Sequence, residues 1–266
     1  MHQARRRFGQ NFLHDPQVRQ AMISAIDPRA EETFVEVGPG HGALTRPLLA
    51  AGVRLTAIEL DRDLAAALPD ACGGDASRLT LIQGDALAHP LSGLADADQP
   101  LRVVGNLPYN LSSPLLFHLT AEPAAVTDLH LLLQKEVVDR MGAEAGSRAY
   151  GRLSVMIQAR CRVVPLFEVP AQAFRPAPRV TSRFVRLIPH DKPPLPGVDD
   201  RALATVVSHA FAQRRKTLRN ALHRILDAAA LERAQVAPAE RAENLTLADF
   251  GRLAAEYQRN PAPEER

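Results

Sequence analysis

Between about Thr33 and His190, short apolar runs alternate with stretches of helical spacing. Phe34–Val37, Arg54–Leu60, Leu79–Ile82, Arg102–Gly105 and Leu129–Leu133 have the length and composition of strands covered on both faces. Helical segments lie between them, from Gly42 to near Ala51, through Leu64–Leu68 and over Pro114–Leu119. Strands alternating with helices in this way predict an α/β fold, a parallel, doubly wound sheet of Rossmann-like type. Cys161–Val169 and Val180–Ile188 add β segments that are expected to run antiparallel. Upstream, Asp15-Pro16 predicts a helix through Ile26, because the carboxylate can accept the first free N–H groups and proline wastes none.

Near residue 190 the texture changes. Asp191–Gly197 is a proline-rich turn segment. Beyond it Leu203, Val207 and Phe211, then Leu218, Leu222 and Leu226, then Leu247, Phe250, Leu253 and Tyr257 recur at helical spacing. The expected organisation is an α/β domain over residues 1–190 and a small all-helical domain over 191–266. A length of 266 residues accommodates both, and 46% hydrophobic with 23% charged residues is the composition of a packed core, not of disorder.

No apolar run approaches the ~18 residues of a membrane span, and the first residues lead into no signal-peptide core. Cys72 and Cys161 are too few for a disulfide framework and have no metal-ligand spacing. A cytoplasmic protein without a metal or a membrane partner is the expectation. The net charge of +2 conceals an uneven make-up, since Lys135, Lys192 and Lys216 are the only lysines among 32 basic residues. Codon bias alone can enrich arginine, so placement carries more weight. Six basic residues and no acidic one lie between Arg201 and Leu226, and Arg5-Arg6-Arg7 stand near the amino end. Such blocks suggest an electrostatic footprint on nucleic acid. Gln213–Arg219 reads as helical, which would put Arg215 and Arg219 one turn apart on a single face. Arg5, Arg6, Arg7, Arg214, Arg215, Lys216 and Arg219 are the candidate residues for nucleic-acid contact.

The candidate chemistry lies at strand ends. Glu36-Val-Gly-Pro-Gly-His-Gly42 follows one strand and precedes a helix, and its glycines allow backbone amides to approach a ligand closely. Gly38, Gly40 and Ala43 fit a dinucleotide pattern; Gly38, Gly40 and Gly42 fit that for S-adenosylmethionine (AdoMet). Glu59 closes the next strand, where a carboxylate can accept ribose hydroxyls of either cofactor, while Asp61 suits a helix cap. In Gly84-Asp85-Ala86 the carboxylate stands where an adenine amine could donate to it, or where a plain turn needs an acceptor. Asn106-Leu107-Pro108-Tyr109 follows the strand Arg102–Gly105. An aromatic amine is a poor nucleophile because its lone pair is delocalised. An Asn oxygen and an adjacent carbonyl that each accept one of its N–H groups favour a pyramidal nitrogen, and Tyr109 can stack on the ring. Proline stiffens that turn. The nine histidines show no ligand spacing.

With these motifs in order, the chain resembles the ribosomal RNA adenine-N6 dimethyltransferase family, most closely its bacterial small-subunit branch. The resemblance extends through Arg7-Phe-Gly-Gln-Asn-Phe-Leu13, Gln134–Val137, Tyr150–Val155, Phe174–Ser182 and Phe211–Asn220. It implies a class I AdoMet-dependent methyltransferase domain followed by a helical RNA-binding domain. It further implies Asn11 and Leu13 beside the methionine part of AdoMet, Gly38 and Gly40 in the glycine loop, Glu59 on the ribose, and Asp85 with Ala86 at the cofactor adenine. Asn106 would stand between cofactor and target amine, and Tyr109 and Phe174 would sandwich the target base. Arginine at Arg179 departs from an expected lysine but keeps the charge. The implied substrate is two adjacent adenosines near the 3′ end of small-subunit rRNA in a partly assembled subunit, modified by a monomer. A large-subunit rRNA methyltransferase and a non-enzymatic RNA-binding relative stay open, though Leu107 and Phe211–Asn220 favour the small-subunit branch. A nicotinamide dehydrogenase is the least favoured, because no hydride-transfer acid/base pair accompanies the glycine loop.

Overall fold

In the computed structural model, residues 10–95, 99–109, 111–213 and 215–260 are described. The chain divides into two packed units, one of residues 1–138 with 162–189, the other of 139–161 with 190–266. The second unit therefore includes a stretch, 139–161, that precedes the last strands of the first. A single cut at residue 190 does not express this.

The first unit is built on a seven-stranded sheet of order β4-β3-β2-β5-β6-β9-β7. Its strands are β2 (Thr33–Val37), β3 (Arg54–Glu59), β4 (Leu79–Gln83), β5 (Leu101–Asn106), β6 (Val126–Gln134), β7 (Cys161–Val169) and β9 (Ser182–Pro189). The first five run parallel in the register Val37↔Ile58, Val37↔Gly105 and Asn106↔Leu132, and β9 lies antiparallel on β6 with Ser182↔Gln134. The strand expectations hold to within a residue or two, except that β6 begins at Val126, ahead of the apolar run that announced it. The early part of β6 contains Asp128 and His130, both fully buried.

Helix α1 (Pro16–Ile26) is capped by Asp15, whose Oδ1 accepts from the N–H groups of Gln17 and Val18 at 2.8 and 3.2 Å. Ahead of it β1 (Phe12–Leu13) pairs antiparallel with β8 (Phe174–Arg175), Leu13 opposite Phe174. Helices α2 (Thr45–Ala50), α3 (Arg62–Cys72) and α4 (Ser112–Leu119) follow β2, β3 and β5. The core joins Met22 and Ile26 of α1 to Phe34, Leu48, Leu55, Leu132 and Phe184. Removing such side chains from water is the main driving force, at roughly 25 cal/mol per Å².

The second unit contains α6 (Arg152–Gln158), α7 (Asp200–Ala212), α8 (Leu218–Leu222), α9 (Ala228–Arg233) and α10 (Leu247–Arg259), of which α7, α8 and α10 coincide with the segments of helical spacing. Phe211 stacks on Phe250 at 5.6 Å and meets the edge of Tyr150 at 6.1 Å. One expectation is corrected here. Residues 213 and 215–217 are not helical, α7 ending at Ala212 and α8 starting at Leu218, so Arg215 and Arg219 do not share a helix face. The physical reason is local: like charges crowd the segment, and Thr217 is extended (φ −68°, ψ 158°) where α8 starts afresh. Leu226 is buried but lies beyond the end of α8.

Candidate active site

A cleft at the carboxyl ends of the parallel strands encloses about 1110 Å³, part of it open to solvent. This is the position that open α/β sheets use for ligands. Its walls include Asn11, Leu13, Glu36, Gly38, Gly40, Glu59, Asp85, Ala86, Asn106, Leu107, Pro108 and Tyr109. The structure thus brings together the sequence-predicted residues of five separate segments.

The glycine loop turns directly out of β2. Gly38 (φ +69°) and Gly40 (φ +57°) lie in the left-handed region, where a side chain would be strained. At Gly40 a Cβ would come within 3.2 Å of the Phe12 ring, so the loop is also covered from above. Glu59 is buried with both oxygens on backbone N–H groups, Oε1 on Asp61 at 2.9 Å and Oε2 on Gly40 at 3.0 Å. Burial raises its pKa, and those N–H groups work against the rise. Asp61 caps α3 by accepting from the N–H of Asp63. Asp85 accepts from the N–H of Leu87 at 3.0 Å, so the turn contact is present at the position that also faces the cleft.

Asn106 ends β5. Its Nδ2 donates to the Asn11 carbonyl at 2.9 Å, leaving Oδ1 as the acceptor. Leu107 is anchored by its buried side chain and by its N–H on the Leu132 carbonyl. The Pro108 carbonyl accepts from the Leu111 N–H at 3.0 Å and from Ser112 Oγ at 3.1 Å. The acceptor adjacent to Asn106 that these contacts leave available is the Leu107 carbonyl. Tyr109 extends from this turn, and its hydroxyl lies 2.5 Å from Ser182 Oγ.

Phe174 is placed elsewhere. It is 1% exposed, packs in the core with Leu13, Val169 and Ala173, and is held there by the β1–β8 pairing, so its ring is no wall of the cleft. Arg215, Lys216 and Arg219 are exposed. Arg5, Arg6, Arg7 and Arg214 lie outside the described residues.

Three site residues had no assigned role in the sequence reading. Glu36 is buried in the middle of an apolar strand, accepts from Thr45 Oγ1 at 2.7 Å, and is pushed up to about 7 by burial. An acidic residue inside Phe-Val-Glu-Val is the signal that marks it. Phe12 packs on His41 with ring centroids 4.3 Å apart. Ser182 has no local signal. Among the described residues the cleft lining holds the carboxyl groups of Glu36, Glu59 and Asp85 and no lysine or arginine. That charge suits a cationic adenosine derivative such as AdoMet and disfavours a dinucleotide with its anionic pyrophosphate. Among the described residues no helix is long and apolar enough to cross a membrane, and no group of histidine, cysteine and acidic side chains is arranged for a metal ion.

A parallel sheet with a glycine loop, strand-end carboxylates and an Asn-Leu-Pro-Tyr turn is the architecture of a class I methyltransferase, and the comparisons with known proteins make the class specific. The chain matches the family model "Ribosomal RNA adenine dimethylase" over residues 1–259, and it belongs to that family. It is 53% identical over 249 residues to "Ribosomal RNA small subunit methyltransferase A" of Acinetobacter baylyi, covering 94% of this chain and 90% of that protein. Its Pseudomonas aeruginosa namesake is 49% identical over 260 residues, covering 98% and 97%. Among solved structures, a dimethyladenosine transferase from Plasmodium falciparum superposes with a TM-score of 0.78 at 24% identity, over 93% of this chain and 98% of that one. The 23S rRNA methyltransferase ErmE gives 0.68 at 23% identity, over 93% and 100%. The last two likenesses establish the fold.

Proposed function

We propose that this chain transfers methyl groups from AdoMet to N6 of two adjacent adenosines near the 3′ end of small-subunit rRNA, giving N6,N6-dimethyladenosine. The observation that carries the proposal is the fixed turn at Asn106. The amide nitrogen is tied to Asn11, so the amide oxygen and the Leu107 carbonyl are the paired acceptors for one exocyclic amine.

When bound, AdoMet supplies a methyl group activated by a sulfonium that leaves as a neutral thioether. The chain positions and desolvates. Gly38, Gly40, Asn11 and Leu13 shape the region for the methionine part. Glu59 accepts from the ribose and Asp85, beside Ala86, from the cofactor adenine. Asn106 and Leu107 hold the target N6, and Pro108 keeps the turn from relaxing. Orientation of this kind can be worth about 7–11 kcal/mol of the barrier. No residue is asked to be a strong base, because the amine proton becomes acidic only as the new N–C bond forms. The target adenine must leave its stack at a cost of a few kcal/mol, and stacking on Tyr109, at about 1–3 kcal/mol per base, offsets part of that. In this arrangement Tyr109 supplies the aromatic face for the target base.

Arg215, Lys216 and Arg219 are assigned to the RNA backbone, where guanidinium forks match phosphate. The partner is small-subunit rRNA in a partly assembled subunit, met by a monomer in the cytoplasm. The deciding assay incubates the protein with labelled AdoMet and undermethylated small subunits, then digests the rRNA. Labelled dimethyladenosine at two neighbouring positions is the expected result. Label confined to large-subunit rRNA, or none at all, overturns the reading.

A further inference from the structure

The Tyr109 ring is held at both ends. At its root, the turn is fixed by the Leu107 N–H on Leu132 and by Ser112 Oγ, which lies 3.1 Å from the Pro108 carbonyl and 3.4 Å from that of Tyr109. At its tip, the hydroxyl meets Ser182 Oγ at 2.5 Å. Ser182 is completely buried at the first position of β9, opposite Gln134 of β6, and its neighbour Thr181 accepts from the Lys135 N–H at 3.0 Å. The contact therefore ties a cleft residue to the rigid sheet across 73 positions of sequence. A site built on sheet strands is more precise than one resting on its loop alone.

We infer that Ser182 is a positioning residue that pins the Tyr109 ring, and that the second methyl transfer to an adenine leans on this pin more than the first. The inference rests on the proposed function. An unmodified adenine amine has two N–H groups for the two acceptors at Asn106 and Leu107. Once it carries one methyl, a single N–H remains, and one acceptor loses its partner. The base is also bulkier at N6. Its orientation then depends to a larger degree on the plane against which it stacks, and a ring free to swing presents that plane only part of the time.

The test follows both transfers on undermethylated small subunits under single-turnover conditions with saturating AdoMet, using wild type, Ser182→Ala, Tyr109→Phe, their double variant and Tyr109→Ala. Loss of the pin is expected to slow the first transfer about threefold and the second about tenfold, within the range that one net hydrogen bond spans. Monomethyladenosine then accumulates. The double variant is expected to be no worse than the poorer single variant, because each removes the same bond. AdoMet affinity is expected to stay within about twofold. A folding defect lowers both transfers in proportion and leaves the ratio of the two rate constants, and hence the ratio of mono- to dimethyladenosine at equal conversion, unchanged; only a positioning defect moves it. Tyr109→Phe keeps the ring and leaves Ser182 intact, so it carries the test if Ser182→Ala fails to fold. An unchanged product ratio in Tyr109→Phe and in folded Ser182→Ala, with Tyr109→Ala inactive, overturns the inference and spares the stacking role. Full activity in Tyr109→Ala removes the stacking role itself.

Discussion

Two polar clusters are buried at opposite ends of the same strands, and they are built on opposite principles. At the amino end, Arg102 of β5 forms a two-pronged pair with Asp128 of β6, at 2.9 and 3.2 Å. It also donates to Glu32 at 3.0 Å and to the Ile26 carbonyl at 2.7 Å, closing the end of α1, and its guanidinium lies 4.9 Å from the Phe34 ring centre. Arg186 reaches the other side of Asp128 at 2.8 Å. At the carboxyl end, Glu36 accepts from a hydroxyl and Glu59 from backbone N–H groups, both buried, and among the described residues no lysine or arginine lines their cleft. Charge is neutralised where the fold needs a clamp. At the other end Glu36 and Glu59 are held above the ordinary carboxyl range, chiefly by burial, and carboxyl groups held in that way are a frequent mark of a working site.

The largest expected effect tests the clamp. Asp128→Ala leaves two arginines facing a buried gap and should cost about 3–5 kcal/mol, read from the urea midpoint, whereas any activity that survives should have an ordinary AdoMet affinity. A loss below 1 kcal/mol would mean that the amino-end cluster is not the clamp described. Next is Asn106→Ala at the other end. It should lower turnover by about 10²–10³, the scale of losing one transition-state contact, while AdoMet binding and stability are largely kept. Wild-type methylation by this variant, followed with a labelled methyl group, contradicts the assignment.

Smaller effects come from pH, and the two ends have opposite signs. The folded-state pKa of Glu36 is raised, by burial first, from 4.5 to about 7. Its contribution to stability is present below pH 4.5 and is lost as pH rises through 7. Relative to Glu36→Gln, the wild type should therefore fall behind across that window, by at most about 3 kcal/mol. His130, 3.7 Å from Asp128, is lowered from 6.5 to about 4, chiefly by burial. Its contribution is present above pH 6.5 and is lost as pH falls through 4. Parallel urea titrations of Glu36→Gln and His130→Leu should each flatten a different limb of the stability profile. The smallest effect on stability, within about 0.5 kcal/mol, is expected from neutralising the exposed Arg215, Lys216 and Arg219 together. The slope of log affinity for RNA against log salt should become shallower by about two, and an unchanged slope removes these residues from the RNA contact.

What could be read along the chain was local. β2 to β5 are short, mainly apolar runs, Asp15-Pro16 and Asp61 cap by contacts within three residues, and the glycine loop and Asn106 turn are contiguous motifs. What could not be read depends on partners far away. The polar start of β6 is strand because Asp128 is paid for by Arg102 and Arg186 from other strands. Phe174 looks like an available ring until β1 is laid against it. The break between α7 and α8 interrupts a helical rhythm whose apolar positions are indifferent to it. Glu36 shows itself by its type among valines, but Ser182 acquires meaning only through Tyr109.

The β1–β8 ribbon joins residues more than 160 positions apart, and the carbonyl that sets the Asn106 amide belongs to its amino-terminal arm. During synthesis, then, the parallel strands can stack long before the pocket is finished. A nascent chain that has reached β6 has its floor but neither the ribbon nor Ser182. Competence is acquired late and all at once, so stalled or truncated chains should be structured yet inert.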